Sequence, residues 1–163
     1  MKNVYKQKRE QGFTIIEVLI VLAIAALIFL IVFLAVPALN RNSRNNAIKH
    51  DAANLLSGVQ TFESNNNGQL PTTIACTNGT ATITGAAGTQ QNQISIQPGT
   101  TCNPVGTTFA STGTGNLSKL YPASGQQCNG NTAYSANSRS FAISFLVETG
   151  SGATAQATQC LDS

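Results

Sequence analysis

The hydrophobic pattern changes character three times along the chain. From Phe13 to Leu39 every position is apolar except Thr14, Glu17 and Pro37. Val18–Val36 alone supplies 19 uninterrupted apolar residues, enough to cross roughly 30 Å of hydrocarbon as a helix. Next, Ile48, Ala52, Leu55, Val59 and Phe62 recur at alternating spacings of four and three. That period predicts one apolar stripe on an amphipathic helix, with Arg44, Lys49, Asp51, Gln60 and Glu63 mostly off it. Gly58, inside this segment, is expected to weaken it by about 1 kcal/mol relative to Ala. Asn65-Asn66-Asn67-Gly68 should end the helix, because asparagine and glycine tolerate a left-handed backbone, and Pro71 blocks its resumption. A continuous helix from Phe13 to about Asn65 would measure roughly 80 Å at 1.5 Å per residue.

Beyond residue 71 the pattern shortens. Alternation over Thr80–Thr84, Gln93–Gln97 and Arg139–Glu148 predicts strands, with Phe141, Ile143, Phe145 and Val147 on one buried face. Thr149-Gly150-Ser151-Gly152 is a hairpin loop that would return Ala153–Cys160 antiparallel to the preceding strand. Thr107–Ala110 and Ala133–Ser135 are shorter strand candidates, and 111–118 reads as a polar loop. The expected class is α+β, a long hydrophobic-then-amphipathic helix packed on a small antiparallel β-rich head. Pro37 lacks an N–H and crowds the Phe33 carbonyl, so it marks a helix break.

Charge adds a boundary. Residues 1–12 hold Lys2, Lys6, Lys8 and Arg9 against Glu10, which accounts for the whole net charge of +3. The rest balances five basic residues against five acidic ones. The excess therefore says nothing about affinity for nucleic acid. The basic leader favours a cytoplasmic N-terminus, although Arg41, Arg44 and Lys49 follow the span closely. The apolar run is too long for the core of an ordinary secretory signal, and no small-residue cleavage site follows it.

Cys76, Cys102, Cys128 and Cys160 all follow the span. With no Cys-x-x-Cys pair or nearby histidine they suggest disulfides in an oxidising exterior rather than a metal site. Four cysteines allow three connectivities. The sequential one, Cys76–Cys102 with Cys128–Cys160, suits a small β-rich head best, each loop contributing roughly 3–4 kcal/mol in the chain-entropy model. Catalytic chemistry is sparse. His50 is the one histidine and falls on the amphipathic helix, so no ordinary serine triad can form. The glycines of 113–115 lack the Lys-Ser/Thr ending of a phosphate loop. Asn78-Gly79-Thr80 and Asn116-Leu117-Ser118 fit the glycosylation sequon, a frequent chance match. No enzyme activity, metal or cofactor is implied. Glu17 is the anomaly: a carboxylate within an apolar run costs roughly 2.5–3.5 kcal/mol at a bilayer centre, less near the interface.

Gly12, Phe13, Thr14 and Glu17, followed by Val18–Val36, resemble the class III signal and N-terminal helix of type IV pilins and pseudopilins. Ile15 departs mildly, since the family usually carries Leu there. Phe62–Pro71 is similar to the family's helix end, where a Gly-x-x-Pro turn enters the head, and the loop closed by Cys128 and Cys160 resembles a C-terminal pilin disulfide loop. The resemblance implies the pilin fold and four segments: a cytoplasmic leader (1–12, removed), a transmembrane and filament-core helix (13–39), an amphipathic helix (40–67) and an extracellular head (68–163). It implies cleavage by a prepilin peptidase at Gly12–Phe13, N-methylation of Phe13, and neutralisation of the Phe13 amine by Glu17 of a neighbouring subunit. The implied partners are membrane lipid before assembly, the pilus assembly machinery, and other copies of the chain in a helical surface filament. Adhesion, twitching motility or DNA uptake would be its uses, with any surface or DNA ligand open. A pseudopilin of type II secretion or competence is the alternative within the family. A membrane-anchored binding module that never polymerises is the alternative outside it.

Overall fold

The computed structural model describes residues 12–106, 109–110, 115–131, 133–150 and 155–163. The chain divides into two units, Met1–Asn40 and Arg41–Ser163. One helix, α1 (Ile15–Asn65), contributes to both. In the first unit its large apolar side chains from Ile15 to Leu39 are exposed. This helix is long and apolar enough to cross a bilayer. Pro37 lies inside α1, whose helical run continues through it.

The second unit is built on the amphipathic stripe. Ile48, Ala52, Leu55, Val59 and Phe62 are buried, as the spacing predicts. They join Ile74, Ala81 and Ile83 from one sheet, and Leu120, Phe141, Ile143, Phe145 and Val147 from another, in a single core cluster. The first sheet is β1 (Thr73–Thr77), β2 (Thr80–Thr84) and β3 (Asn92–Ser95), antiparallel in that order. The second runs β4 (Thr101–Cys102), β5 (Lys119–Asn129), β6 (Ala133–Glu148) and β7 (Gln156–Asp162). Its pairings are antiparallel as expected except the two-residue β4–β5 pairing, which is parallel. Cys76 on β1 is bonded to Cys102 on β4, which joins the two sheets, and Cys128 on β5 to Cys160 on β7. The expected α+β class, a long apolar helix with β-sheets and two disulfides, is the observed one.

Several local expectations need correction. β3 begins at Asn92 and ends at Ser95, short of the expected Gln97. β6 starts at Ala133, so the short candidate Ala133–Ser135 and the strand Arg139–Glu148 are one element. The expected hairpin return is real, but β7 runs Gln156–Asp162. Residues 107–108, 111–114 and 151–154 lie outside the described ones, and Phe109–Ala110 is not strand.

β6 is buried on both faces from Ser140 to Val147. The reason is that Ala110 and Gly115 lie against the second face. The Ala110 N–H donates to Ser144 Oγ at 2.9 Å. Gly115 lies so close to Leu146 that an added β-carbon would overlap its Cδ1.

Three strands, β1, the two-residue β4 and β5, escape the sequence pattern. β1 opens a hairpin at Asn78-Gly79, whose φ values of 49° and 82° are both positive, as a tight two-residue hairpin turn requires. β5 contains Pro122 and Gly125, residues that normally argue against a strand. Pro122 is tolerated because its carbonyl faces away from β6, accepting the Gly106 N–H at 3.2 Å. Its missing N–H therefore removes no β5–β6 bond. Gly125, with φ of 68°, sits at a register shift between Ser124 and Gln126.

Polar side chains tie α1 to the head at several heights. Arg44 donates to both Glu148 carboxylate oxygens at 2.9 Å. Asn45 donates to the Glu148 carbonyl and accepts its N–H, both at 2.8 Å. Asp51, expected off the apolar stripe, is instead buried. It accepts the Thr100 hydroxyl at 2.6 Å and the Gln97 N–H at 3.1 Å, so it holds the segment between β3 and β4. Asn66 pairs with Gln90, accepting its N–H at 2.7 Å and donating to its carbonyl at 3.1 Å.

Candidate functional site

The chemistry-bearing residues singled out by sequence gather at the start of α1. Gly12, Phe13 and Thr14 are exposed and outside the helix. The Gly12–Phe13 peptide lies outside regular secondary structure, just before the first helical turn. Leader residues 1–11 fall outside the described ones.

Thr14 is the residue whose role the sequence reading missed. Its backbone N–H and its hydroxyl both donate to Glu17 Oε2 at 2.8 Å. In return Thr14 Oγ1 accepts the Glu17 N–H at 3.4 Å. This is a reciprocal capping box, with Thr14 at the N-cap and Glu17 at the third helical position. The Thr-x-x-Glu spacing before an apolar run is a legible signature of it. The box explains why α1 begins at Ile15. It also eases the anomaly of Glu17, because the carboxylate has donors in its own chain and lies at the positive end of the helix dipole. Both Thr14 bonds fall on Oε2.

The Thr14 bonds fix the position of the Glu17 carboxylate at the helix start. His50 is exposed and its Nδ1 lies 3.1 Å from Asn54 Nδ2. Among the described residues no group of three or more His, Cys, Asp and Glu is placed to hold a metal ion. The four cysteines lie on head strands, away in sequence from the helix start, and all four are bonded.

The electrostatics of the head concentrate at two carboxylates on opposite sides of the usual range. The Arg44 fork holds the Glu148 carboxyl below its ordinary value, chiefly through the hydrogen bond, with Arg41 adding to the attraction. Burial pushes Glu63 upward, and its Oε1 is a buried acceptor with no partner among the described residues. The Tyr134 phenol is pushed up to about 12 by burial, against opposing hydrogen bonds from Ser144.

Residues 7–33 match the prokaryotic N-terminal methylation motif. No curated protein and no solved structure gives a significant match.

Proposed function

We infer that this chain, a type IV pilin-like prepilin by its methylation motif, is a structural subunit that polymerises into a type IV pilus. The observation that carries this reading is a processing signal joined directly to an exposed apolar helix. Large apolar side chains from Ile15 to Leu39 are exposed in the single chain. Such a surface demands either lipid or the same surface on neighbouring copies.

The sequence of events follows from the residues. Before processing, the apolar helix anchors the chain in the cytoplasmic membrane with the leader inside. A prepilin peptidase cuts Gly12–Phe13, and the new Phe13 amine is methylated and keeps its positive charge. Helices then bundle with heads outward. Glu17 neutralises the Phe13 amine of an adjacent subunit, and Oε1, which takes neither Thr14 bond, is the oxygen left to receive it. Two charges that are costly to bury alone become tolerable as a pair, which sets the assembly register. Pro37 is where the helix opens when packed in the bundle.

The test is intact-mass analysis of surface protein together with electron microscopy of sheared filaments. The expected mature chain begins at N-methylated Phe13 and is the main filament component. A chain that retains Met1–Gly12, or one cut after Val36, would overturn the reading.

A further inference from the structure

β3 is the outer strand of the first sheet, and its free side carries unspent main-chain groups. Its register with β2 pairs Ala81 with Ile94 and Ile83 with Asn92, and beyond them the Ile96 N–H donates to the Gly79 carbonyl at 2.9 Å. Hydrogen-bonded positions alternate along an antiparallel ladder. Asn92, Ile94 and Ile96 therefore turn their main chain to β2, and Gln93 and Ser95 turn theirs outward. Both outward residues are exposed, and no other described residue bonds to their main chain. Edges of this kind are ordinarily blunted by charge, proline or a bulge. β3, Asn-Gln-Ile-Ser, has no charge and no proline, and its pairing with β2 has no register shift. Nor does α1 close the edge. A groove of about 350 Å³ lies beside it, bordered by Ser57 and Thr61 on α1 and by Asn92, Ile94 and Ser95 on β3.

An extended strand matches such an edge, and β3 is its own complement. About a two-fold axis through Ile94, Gln93 of each copy falls opposite Ser95 of the other. These are the outward-facing residues of both strands, so the two pairs exchange their N–H and carbonyl groups fully. Between them the two copies of Ile94 form a close pair, with Cα atoms about 4.5 Å apart, and their half-buried side chains meet at the groove. A slip of one residue would set outward groups against inward ones and make no ladder. No like charges meet across the axis, because the strand has none.

We propose that β3 is a self-pairing edge, which joins β3 of a second copy antiparallel, Gln93 opposite Ser95, and makes one sheet from two heads. Such an interface is isologous. It reverses one copy relative to the other, so it joins subunits of neighbouring filaments rather than of one bundle of parallel helices. That use rests on the subunit reading; the pairing itself is a property of the second unit. A single contact of this length is weak, and repetition along two filaments multiplies it.

Sedimentation equilibrium of the full chain in density-matched detergent, with micelles in large excess over chains, tests it. The wild type should show a monomer–dimer equilibrium, and the Gln93 and Ser95 amides should exchange more slowly at high chain concentration than at low. Ser95→Pro removes an outward N–H and no bond to β2, so the head should fold and the dimer should be lost. Two double variants test the register. Gln93→Lys with Ser95→Lys sets like charges opposite in both pairs and should raise the dissociation constant about tenfold. Gln93→Lys with Ser95→Glu sets opposite charges in both pairs and should dimerise at least as tightly as the wild type.

A monomer at every concentration would overturn the proposal. So would a dimer that survives Ser95→Pro, or equal weakening by the two double variants. Should Ser95→Pro fail to fold, the double variants decide alone. Filaments play no part in this measurement. Their absence would overturn the subunit reading, while sedimentation would still decide the edge.

Discussion

Gly58 on α1 faces Ile94 on β3 so closely that a β-carbon at 58 would lie 2.7 Å from Ile94 Cγ2 and 3.0 Å from Ile83 Cδ1. The Gly58 carbonyl also accepts the Asn92 side-chain amide at 2.8 Å. The glycine that weakens the isolated helix is what lets the first sheet approach it.

Gly58→Ala should therefore destabilise the protein. Helix propensity alone favours alanine by about 1 kcal/mol, whereas forcing a methyl into a filled site costs about 1–3 kcal/mol. Ile94 is β-branched and stiff at χ1, so turning its Cγ2 away is itself costly. We expect a net loss of up to about 2 kcal/mol by the difference of these terms, read from denaturant midpoints of the folded chain. A gain in stability would show that β3 shifts freely.

Glu17→Ala should leave membrane insertion intact, or slightly improved, because it removes a carboxylate from an apolar run. Surface filaments should fall to near zero, since the Phe13 amine of a neighbour would then be buried unpaired. Membrane fractionation and filament counts separate the two effects. Normal filament numbers would show that the pairing is dispensable.

Acid should act on Glu63 and Glu148 in opposite directions. The folded state raises the Glu63 value through burial, so protonation favours folding. Its contribution grows as pH falls through that raised value toward the ordinary 4.5. The folded state lowers the Glu148 value through Arg44, so its contribution is complete above the ordinary 4.5 and is lost as pH falls through the lowered value. Thermal melting against pH should show a shallow rise from neutrality toward 4.5 that Glu63→Gln abolishes. The fall below 4.5 should become shallower in Glu148→Gln.

The two disulfides should be separable in effect. Non-reducing peptide mapping is expected to recover Cys76–Cys102 and Cys128–Cys160. Replacing either pair with serine should cost roughly 3–4 kcal/mol by the loop-closure model. Loss of Cys76–Cys102 should loosen the junction of the two sheets, seen as faster exchange in β1 and β4. Loss of Cys128–Cys160 should instead affect β5 and β7. Recovery of any other pairing would reject this arrangement.

What the chain determines alone is whatever depends on neighbours near in sequence. The apolar run of Val18–Val36 sets a membrane-length helix, and Thr14-x-x-Glu17 sets where that helix begins. The spacing from Ile48 to Phe62 sets the buried stripe, and Asn65–Gly68 its end. The methylation motif belongs to the same class, being a local string of residues. Phe141, Ile143, Phe145 and Val147 announce a buried strand face by alternation.

What the tertiary structure decided depends on residues far apart. Asp51 looked like a solvent-facing charge, but Gln97 and Thr100 arrive from the second half of the chain to pair with it. Alternation leaves Ser144 and Leu146 on the face opposite the core, and Ala110 and Gly115 come from elsewhere in the chain to lie against them. Pro122 argued against a strand because the side on which its missing N–H falls is unknown before β5 has found β6. Periodicity records which side chains lie on one face of an element. Whether the opposite face stays wet is settled only when a distant segment has somewhere to bind, and that is a property of the folded chain.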